Sequence, residues 1–248
     1  MENWTDTLYA EAESIGLNLV GVADGRDYQH LLDGCQRAIV FANGGTKLWD
    51  CFIEDLRQHS QHLSAHQHPL DDFVGRWIAK VDPMLDGARR WVQCADEADV
   101  FIDFRPLAKA ADLGFPSPVG LLIHPVYGLW ISLRAVLLTT TEIPITVDVS
   151  SNPCSTCIEK PCVAACPAGA VTESGWSVQR CASFHQSHTD CATKCHSRLR
   201  CPVGTDHRHS PLQHAYHNNR TIGRRQVAER LQIQDGSSGQ VLGWDEWQ

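Results

Sequence analysis

The sequence predicts an α+β protein. A three-layer α/β domain is expected over residues 1–150, a cysteine-built module over 151–217 and a polar C-terminal tail over 218–248. Three observations predict this. Short apolar runs of strand length are interleaved with amphipathic helical stretches through the first 150 residues. Eight of the eleven cysteines crowd between Cys154 and Cys201. Beyond them the chain turns polar, with a His-rich start. Strand–helix alternations are too few for a doubly wound parallel sheet, so a compact domain with a central sheet is expected.

The elements follow in order. Thr5 to Ile15 reads as a helix, with Leu8, Ala12 and Ile15 at helical spacing and Gly16 as its stop. Leu17–Ala23 and Arg37–Ala42 read as strands. Asn43-Gly44-Gly45 is a loop, and a helix opens near Lys47, with Leu48, Phe52, Leu56 and Leu63 on one face. A second helix spans Leu70–Lys80. A third is expected from Pro83 onward, carrying Met84, Ala88, Trp91 and Val92. Val100–Phe104 reads as a strand and Pro106–Leu113 as a helix ended by Gly114. Val119–Ile123 and Leu129–Thr139 read as two strands around the turn Pro125-Val126-Tyr127-Gly128. Over residues 151–205 regular elements are hard to find and cysteines replace aliphatics, so an inorganic core must hold the segment. A last helix is expected around Arg224–Leu231.

Composition excludes several classes. The 43% hydrophobic and 20% charged residues rule out a disordered or collagen-like chain. A net charge of −8 argues against a protein built to grip nucleic acid. No run approaches the roughly 20 apolar residues that cross a bilayer, so no membrane role is expected. The start, Met-Glu-Asn-Trp-Thr-Asp, lacks the basic and apolar regions of a secretory signal, and a cytoplasmic location is expected. In that setting a dense cysteine block points to metal rather than to a disulfide framework.

The cysteine spacing is specific. The first group is Cys154-x2-Cys157-x4-Cys162-x3-Cys166-Pro167, and the second is Cys181-x9-Cys191-x3-Cys195-x5-Cys201-Pro202. The first matches the bacterial ferredoxin run except for a longer middle spacer. Close thiolates on a tight loop wrap three corners of a cubane, while the fourth sits too far round and reaches the neighbouring cluster. Proline then fixes φ and starts the next element. The segment is therefore read as a bacterial-ferredoxin-like module with two [4Fe–4S] clusters. One is assigned Cys154, Cys157, Cys162 and Cys201, the other Cys166, Cys181, Cys191 and Cys195. Two zinc sites would also use eight cysteines. However, zinc motifs usually come as two C-x2–4-C pairs, and a Cys-Pro closure is no feature of theirs. Disulfides rank last.

These residues resemble the epoxyqueuosine reductases, relatives of the cobalamin-dependent reductive dehalogenases. Ile15-Gly16-Leu17 with Val20-Gly21-Val22-Ala23 is similar to the family's first strand. Arg105 to Phe115 resembles its Glu-Arg-x-Leu-Ala helix, and Leu121-Leu122-Ile123 with Gly128-Leu129-Trp130 resembles the strand and turn that follow. The cysteine module matches best, including Cys181 ahead of the final cysteines. The resemblance implies a cobalamin-binding α/β domain ahead of a two-cluster module. It also departs. The register of the family's catalytic aspartate falls on Ala98, flanked by Glu97 and Asp99. The family's Gly-Lys becomes Ser117-Pro118, and the C-terminal repeats that grip tRNA are absent. Weak or absent cobalamin binding is expected, in a pocket walled by Leu121, Leu122, Ile123 and Trp130.

Other residues carry quieter readings. His59, His62 and His66 read as a solvated helical face rather than a metal site. His207, His209, His214 and His217 read as surface. Arg198, Arg200 and Arg208 either dock an acidic electron donor or form a plain solvated patch. Cys35, Cys51 and Cys94 read as core, as do Trp91 and Trp130. The function expected is an iron–sulfur electron-transfer protein. Its clusters would serve a site in the N-terminal domain or a partner, fed by a ferredoxin or flavodoxin reductase system. The alternatives are a cobalamin-dependent reductase, or a protein that binds cobalamin, another small molecule or senses redox state.

Overall fold

A computed structural model of the chain describes residues 4–93, 102–147 and 151–233. Cys94, Glu97, Ala98 and Asp99 lie outside the described residues, as do the first two residues of the strand expected at Val100–Phe104; its other three are not strand, since Asp103 caps a helix that opens at Phe104. The chain begins with helix α1 (Trp4–Ser14), strands β1 (Leu19–Asp24) and β2 (Arg37–Gly44), and helix α2 (Lys47–Gln58). Helices α3 (His62–Ala65) and α4 (Pro69–Val81) follow, then strand β3 (Arg89–Gln93) and helix α5 (Phe104–Ala110). Next come the short strands β4 (Phe115–Pro116) and β5 (Leu122–Ile123), and the long β6 (Ile131–Thr139). The cysteine segment holds α6 (Pro153–Thr156), α7 (Pro161–Ala164), β7 (Val171–Thr172), β8 (Gly175–Trp176), α8 (Val178–Ser187), α9 (Thr189–Thr193) and α10 (His196–Leu199). Helices α11 (Pro211–Asn218) and α12 (Arg220–Leu231) close the described chain. No helix among the described residues is long and apolar enough to cross a membrane.

The chain divides into two compact units. The first takes Met1–Phe52, Leu70–Phe115 and Ile131–Asn152. Its centre is a sheet in the order β1-β2-β6-β3, antiparallel throughout. Pairing runs Leu19↔Ala42 to Asp24↔Arg37, Arg37↔Thr139 to Gly44↔Ile131, and Arg89↔Thr139 to Gln93↔Ala135. A register shift at Phe41/Ala42 bends β2. Cross-strand partners share a face, so Val20 and Phe41 point one way and Gly21 and Val40 the other. Phe41 meets Trp77 of α4 edge-on at 5.3 Å between ring centres. On the opposite face a Cβ at Gly21 would collide with Ala111, so only glycine lets the end of α5 approach β1. Helix, sheet and helix thus form the three layers expected. The core between them is aliphatic and aromatic: Ile39, Phe41, Phe52, Val136 and Leu137 are fully buried. Polar groups enter it too: Asn43 and Thr139 are buried, and so is Arg134, bonded through Nε to Asn43 at 2.9 Å and 3.5 Å from Asp71.

The segment expected as a helix from Pro83 to Val92 is a strand instead. A 3-10 turn covers Asp82–Met84, and Gly87 takes φ +79°, which breaks any helix there. β3 then alternates. Val92 is buried, Arg89 holds Asp82 at 2.7 Å and the Trp91 indole donates to the same carboxylate. The helix expected over Pro106–Leu113 starts earlier, at Phe104, because Asp103 accepts a hydrogen bond from the Arg105 amide and caps it. The Val119–Ile123 strand shortens to two residues.

The second unit takes Ile53–Pro69, Pro116–Trp130 and Pro153–Gln248. Regular elements were hard to find here in the sequence, yet five short helices and the β7–β8 hairpin are present between Pro153 and Leu199. They are too short for a hydrophobic period to show. What begins α8 is a cap, Ser177 accepting from the Arg180 amide. The interior is unusual in kind. Beside Ala170, Ala192 and Val227 it buries Cys191, Cys201, Arg198, Gln213, His209 and His214. Two of the four tail histidines read as surface are therefore interior.

Candidate metal centre

Each cysteine is carried by a short element or its edge. Cys154 lies on α6, Cys162 on α7, Cys181 on α8 and Cys191 on α9, while Cys195 sits at the start of α10. Lys160, at φ +39°, turns the chain into Pro161, the first residue of α7. α10 packs against α7, which brings the loop closed by Cys201 toward Cys162. α8 packs against α9, which brings Cys181 toward Cys191.

The thiols act on one another in two sets. Burial first, then negative charge at Cys201, Cys162 and Cys157, pushes the Cys154 thiol up to about 11. Burial and then Cys201 and Cys157 push Cys162 up, and Cys157 acts in turn on Cys201. In the other set, burial and then Cys181, Cys195 and Cys166 push Cys191 up to about 11. Cys181, raised mainly by burial, also feels Cys195 and Cys166. The structure thus brings together Cys154, Cys157, Cys162 and Cys201, and separately Cys166, Cys181, Cys191 and Cys195. Each set takes members from both sequence groups.

A tetrahedral zinc site with Zn–S near 2.3 Å holds its sulfurs about 3.8 Å apart. Among the described residues no three cysteine sulfurs lie within 4.8 Å of one another. A cubane, whose irons stand at separate corners, spreads its thiolates further than one ion does. No disulfide joins any described cysteine. The donor set therefore fits an iron–sulfur cluster better than either competitor.

Positive charge and amide donors surround the thiols. The Arg198 guanidinium and the amides of Arg198 and Ser197 oppose the burial of Cys195, as Arg208 and the Val203 amide do for Cys201. The Ala170 amide donates to Cys166 Sγ at 3.3 Å. Arg198 is itself buried. Its Nε donates to Leu129 O at 3.1 Å and its guanidinium lies 4.5 Å from the centre of the Trp130 ring. His214 accepts from the Cys195 amide at 3.2 Å, and burial, aided by Arg198, pulls its imidazole down to about 4, so it is neutral at pH 7. Lys194, His196, Arg200, Cys201 and Arg208 line a basic recess of about 440 Å³.

The remaining expectations fare unevenly. Cys35 is buried, while Cys51 is half-buried. Trp130 is fully buried, its faces taken by Arg198, His209 and His214. Leu122 and Ile123 are also buried, leaving Leu121 alone exposed, so the wall expected for a corrin is not an open surface. Ser117 spends its hydroxyl on Leu121 O at 2.6 Å. The residues named for cobalamin thus do not fit it. The sequence reading missed Asp55. His62 and His59 both turn Nδ1 toward its carboxylate, at 2.9 Å and 3.5 Å, while His66 is not in the group. The i, i+4 spacing of Asp55 on α2 and His59 just past its end was the available signal.

Comparison with known proteins narrows the ancestry. No protein-family model matches the chain. An epoxyqueuosine reductase of Gloeobacter violaceus is 32% identical over 123 residues, covering 45% of this chain and 37% of that one. The epoxyqueuosine reductase structure from Streptococcus thermophilus superposes with a TM-score of 0.54 at 16% identity, over 81% of this chain and 66% of that one. A reductase structure with an epoxyqueuosine-modified tRNA stem loop gives 0.54 at 15% identity, over 84% and 68%. A B12-trafficking protein of C. elegans, CblC, gives 0.58 at 14% identity, over 94% and 96%. The chain spans a little over a third of the curated relative and about two thirds of the reductase structures. The chain is thus similar to an epoxyqueuosine reductase in sequence over part of its length, and it shares the fold of the reductase structures over most of it.

Proposed function

We propose that this chain is a cytoplasmic iron–sulfur oxidoreductase component whose eight cysteines hold two [4Fe–4S] clusters. Cys154, Cys157, Cys162 and Cys201 ligate one, and Cys166, Cys181, Cys191 and Cys195 the other, within a module spanning residues 151–217. The observation that carries this reading is the pair of mutually interacting thiol sets, each drawn from both sequence groups. When bound, the clusters supply one-electron transfer. The chain's own residues set how readily that happens. The Ala170 amide and the Arg198 and Arg208 charges favour the more negative, reduced state. The basic recess beside Cys201 suits an acidic donor such as a ferredoxin or flavodoxin, by charge complementarity.

Electrons then pass to a reductive site in residues 1–150 or to a partner. Reduction of a modified nucleoside in tRNA is the activity named for the relatives. For this chain it is a second reading, supported by homology and weakened by Ala98 at the register of the catalytic acid. Cobalamin handling ranks third, supported by a shared fold alone.

Anaerobic reconstitution tests the first reading. It should give about eight iron and eight sulfide per chain, as two cubanes require. About four iron would remove the second cluster, and zinc without visible absorption would remove both. Cys201→Ala should disturb the same spectroscopic signal as Cys154→Ala, and Cys166→Ala the other. Matching effects of Cys166→Ala and Cys154→Ala would show instead that each sequence group closes on its own cluster.

A further inference from the structure

The histidine-rich end of α2 carries chemistry that the cysteines do not explain. α2 stops at Gln58, a short turn follows, and α3 starts at His62. Asp55 and His59 stand one helical turn apart, and the turn folds His62 back onto the same carboxylate. His62 Nδ1 lies 2.9 Å from Asp55 Oδ2 and His59 Nδ1 3.5 Å from Asp55 Oδ1. One ligand atom from each of the three residues falls within 4.8 Å of the other two. The imidazoles stack, with centres 5.0 Å apart and planes 27° off parallel.

We propose that Asp55, His59 and His62 form a binding site for a divalent transition cation of the zinc type. Three features of the geometry carry it. First, a tetrahedral ion with ligand bonds of about 2.1 Å sets its ligand atoms about 3.4 Å apart, and the two nitrogens lie 2.9 Å and 3.5 Å from the two oxygens of the one carboxylate, near that spacing. Second, two nitrogens and one carboxylate oxygen are the donor set that zinc accepts while keeping a fourth position for water. His59 is half exposed, so that position opens to solvent. Third, the loop holding His62 is fixed from below. Leu63 is fully buried, and the Arg224 guanidinium on α12 donates to Leu63 O at 2.7 Å, His66 O at 3.3 Å and Gln67 O at 3.2 Å. A plain ion pair would need only one imidazole on the carboxylate. Stacking two there gains little when both are charged, because like charges repel.

The site has no cysteine ligand and is independent of the clusters. Its metal class is set by imidazole and carboxylate donors. Zinc, cobalt and nickel therefore bind, and magnesium, which prefers an oxygen octahedron, does not compete.

The test uses the full chain after anaerobic iron–sulfur reconstitution and desalting. Zinc is titrated calorimetrically and counted by elemental analysis, and cobalt(II) is added as an optical probe. One zinc per chain is expected, unchanged by excess magnesium. His62→Ala, His59→Ala and Asp55→Asn should each weaken it by about tenfold or more, with iron content unaltered. His66→Ala, whose side chain lies outside the group, should leave it unchanged and shows that a change in this loop is tolerated. Cobalt should give a weak ligand-field spectrum without a thiolate charge-transfer band. With the cysteines filled by iron in this sample, the readout separates the site from them. Zinc binding unaffected by all three variants, or a cobalt spectrum dominated by thiolate, would overturn the proposal, as would no zinc uptake.

Discussion

The two units solve the same problem with different materials. The first buries an antiparallel sheet under helices on both faces, with Ile39, Phe41, Val136 and Leu137 wholly inside. The second carries its cysteines on or beside helices of four to ten residues, and its interior mixes sulfur, guanidinium and imidazole with Leu63, Ile123 and Trp130. Apolar burial stabilises at about 25 cal/mol per Å², so the sheet of the first unit is expected to hold without metal and the cysteine segment to depend on it. The difference teaches that residue count alone does not say whether a segment folds unaided. What fills its centre does.

The largest way to break this comparison is to remove the metal. Binding free energies of metal-held modules reach about 10 kcal/mol, comparable to the whole stability of a domain. Chelation of a reconstituted protein should abolish amide protection from Cys154 to Cys201 while β2 and β6 keep theirs, read by hydrogen exchange. Equal protection of both regions afterwards would erase the distinction.

The reverse experiment empties the first core. Phe41 is fully buried between Trp77 and Trp91, at 5.3 Å and 5.5 Å. Phe41→Ala should cost about 3–5 kcal/mol. A denaturation transition in the first unit should move while bound iron per chain stays constant. Iron lost in step with that transition would mean that the units do not stand separately.

A smaller effect sharpens the contrast, because the first unit has one buried cation of its own. Burial pushes the Asp71 carboxyl up, and Arg134 opposes that. Arg134→Met removes the opposing charge and should cost about 3 kcal/mol at neutral pH. The native pKa of Asp71 would then lie still further above its unfolded value near 3.9. The penalty is therefore present at high pH and fades as pH falls toward about 4, where a protonated Asp71 needs no partner. Urea melts at pH 7 and pH 4 check this, and an equal loss at both would remove Asp71 from the explanation.

Legibility followed length of period. β1, β2, α4 and the nine-residue β6 each run long enough for alternation or a helical stripe to declare itself. β3 did not. Its five residues, with Ala88 just ahead of them, put Ala88, Trp91 and Val92 at spacings a helix also satisfies, and Gly87 decides the matter only through its φ. The cysteine positions were legible because thiolate spacing is a chemical signal that does not depend on secondary structure. The burial of His209 and His214 was not, since a polar residue enters an interior only where Trp130 and the Cys195 amide are there to meet it.

By itself, then, the sequence determined three of the sheet's four strands, its flanking helices and the cysteine-rich segment. Those follow from periodicity and from residue chemistry, which are local. Only the tertiary structure decided that α10 packs on α7 and α8 on α9, the packing that sets the thiols of each cross-group set toward one another. It alone decided that Trp130 is enclosed rather than offered to a ligand, and that a turn after α2 carries His62 back to Asp55. These are contacts between residues distant along the chain or across a turn. Their geometry depends on which faces pack and at what angle, and no local pattern encodes that.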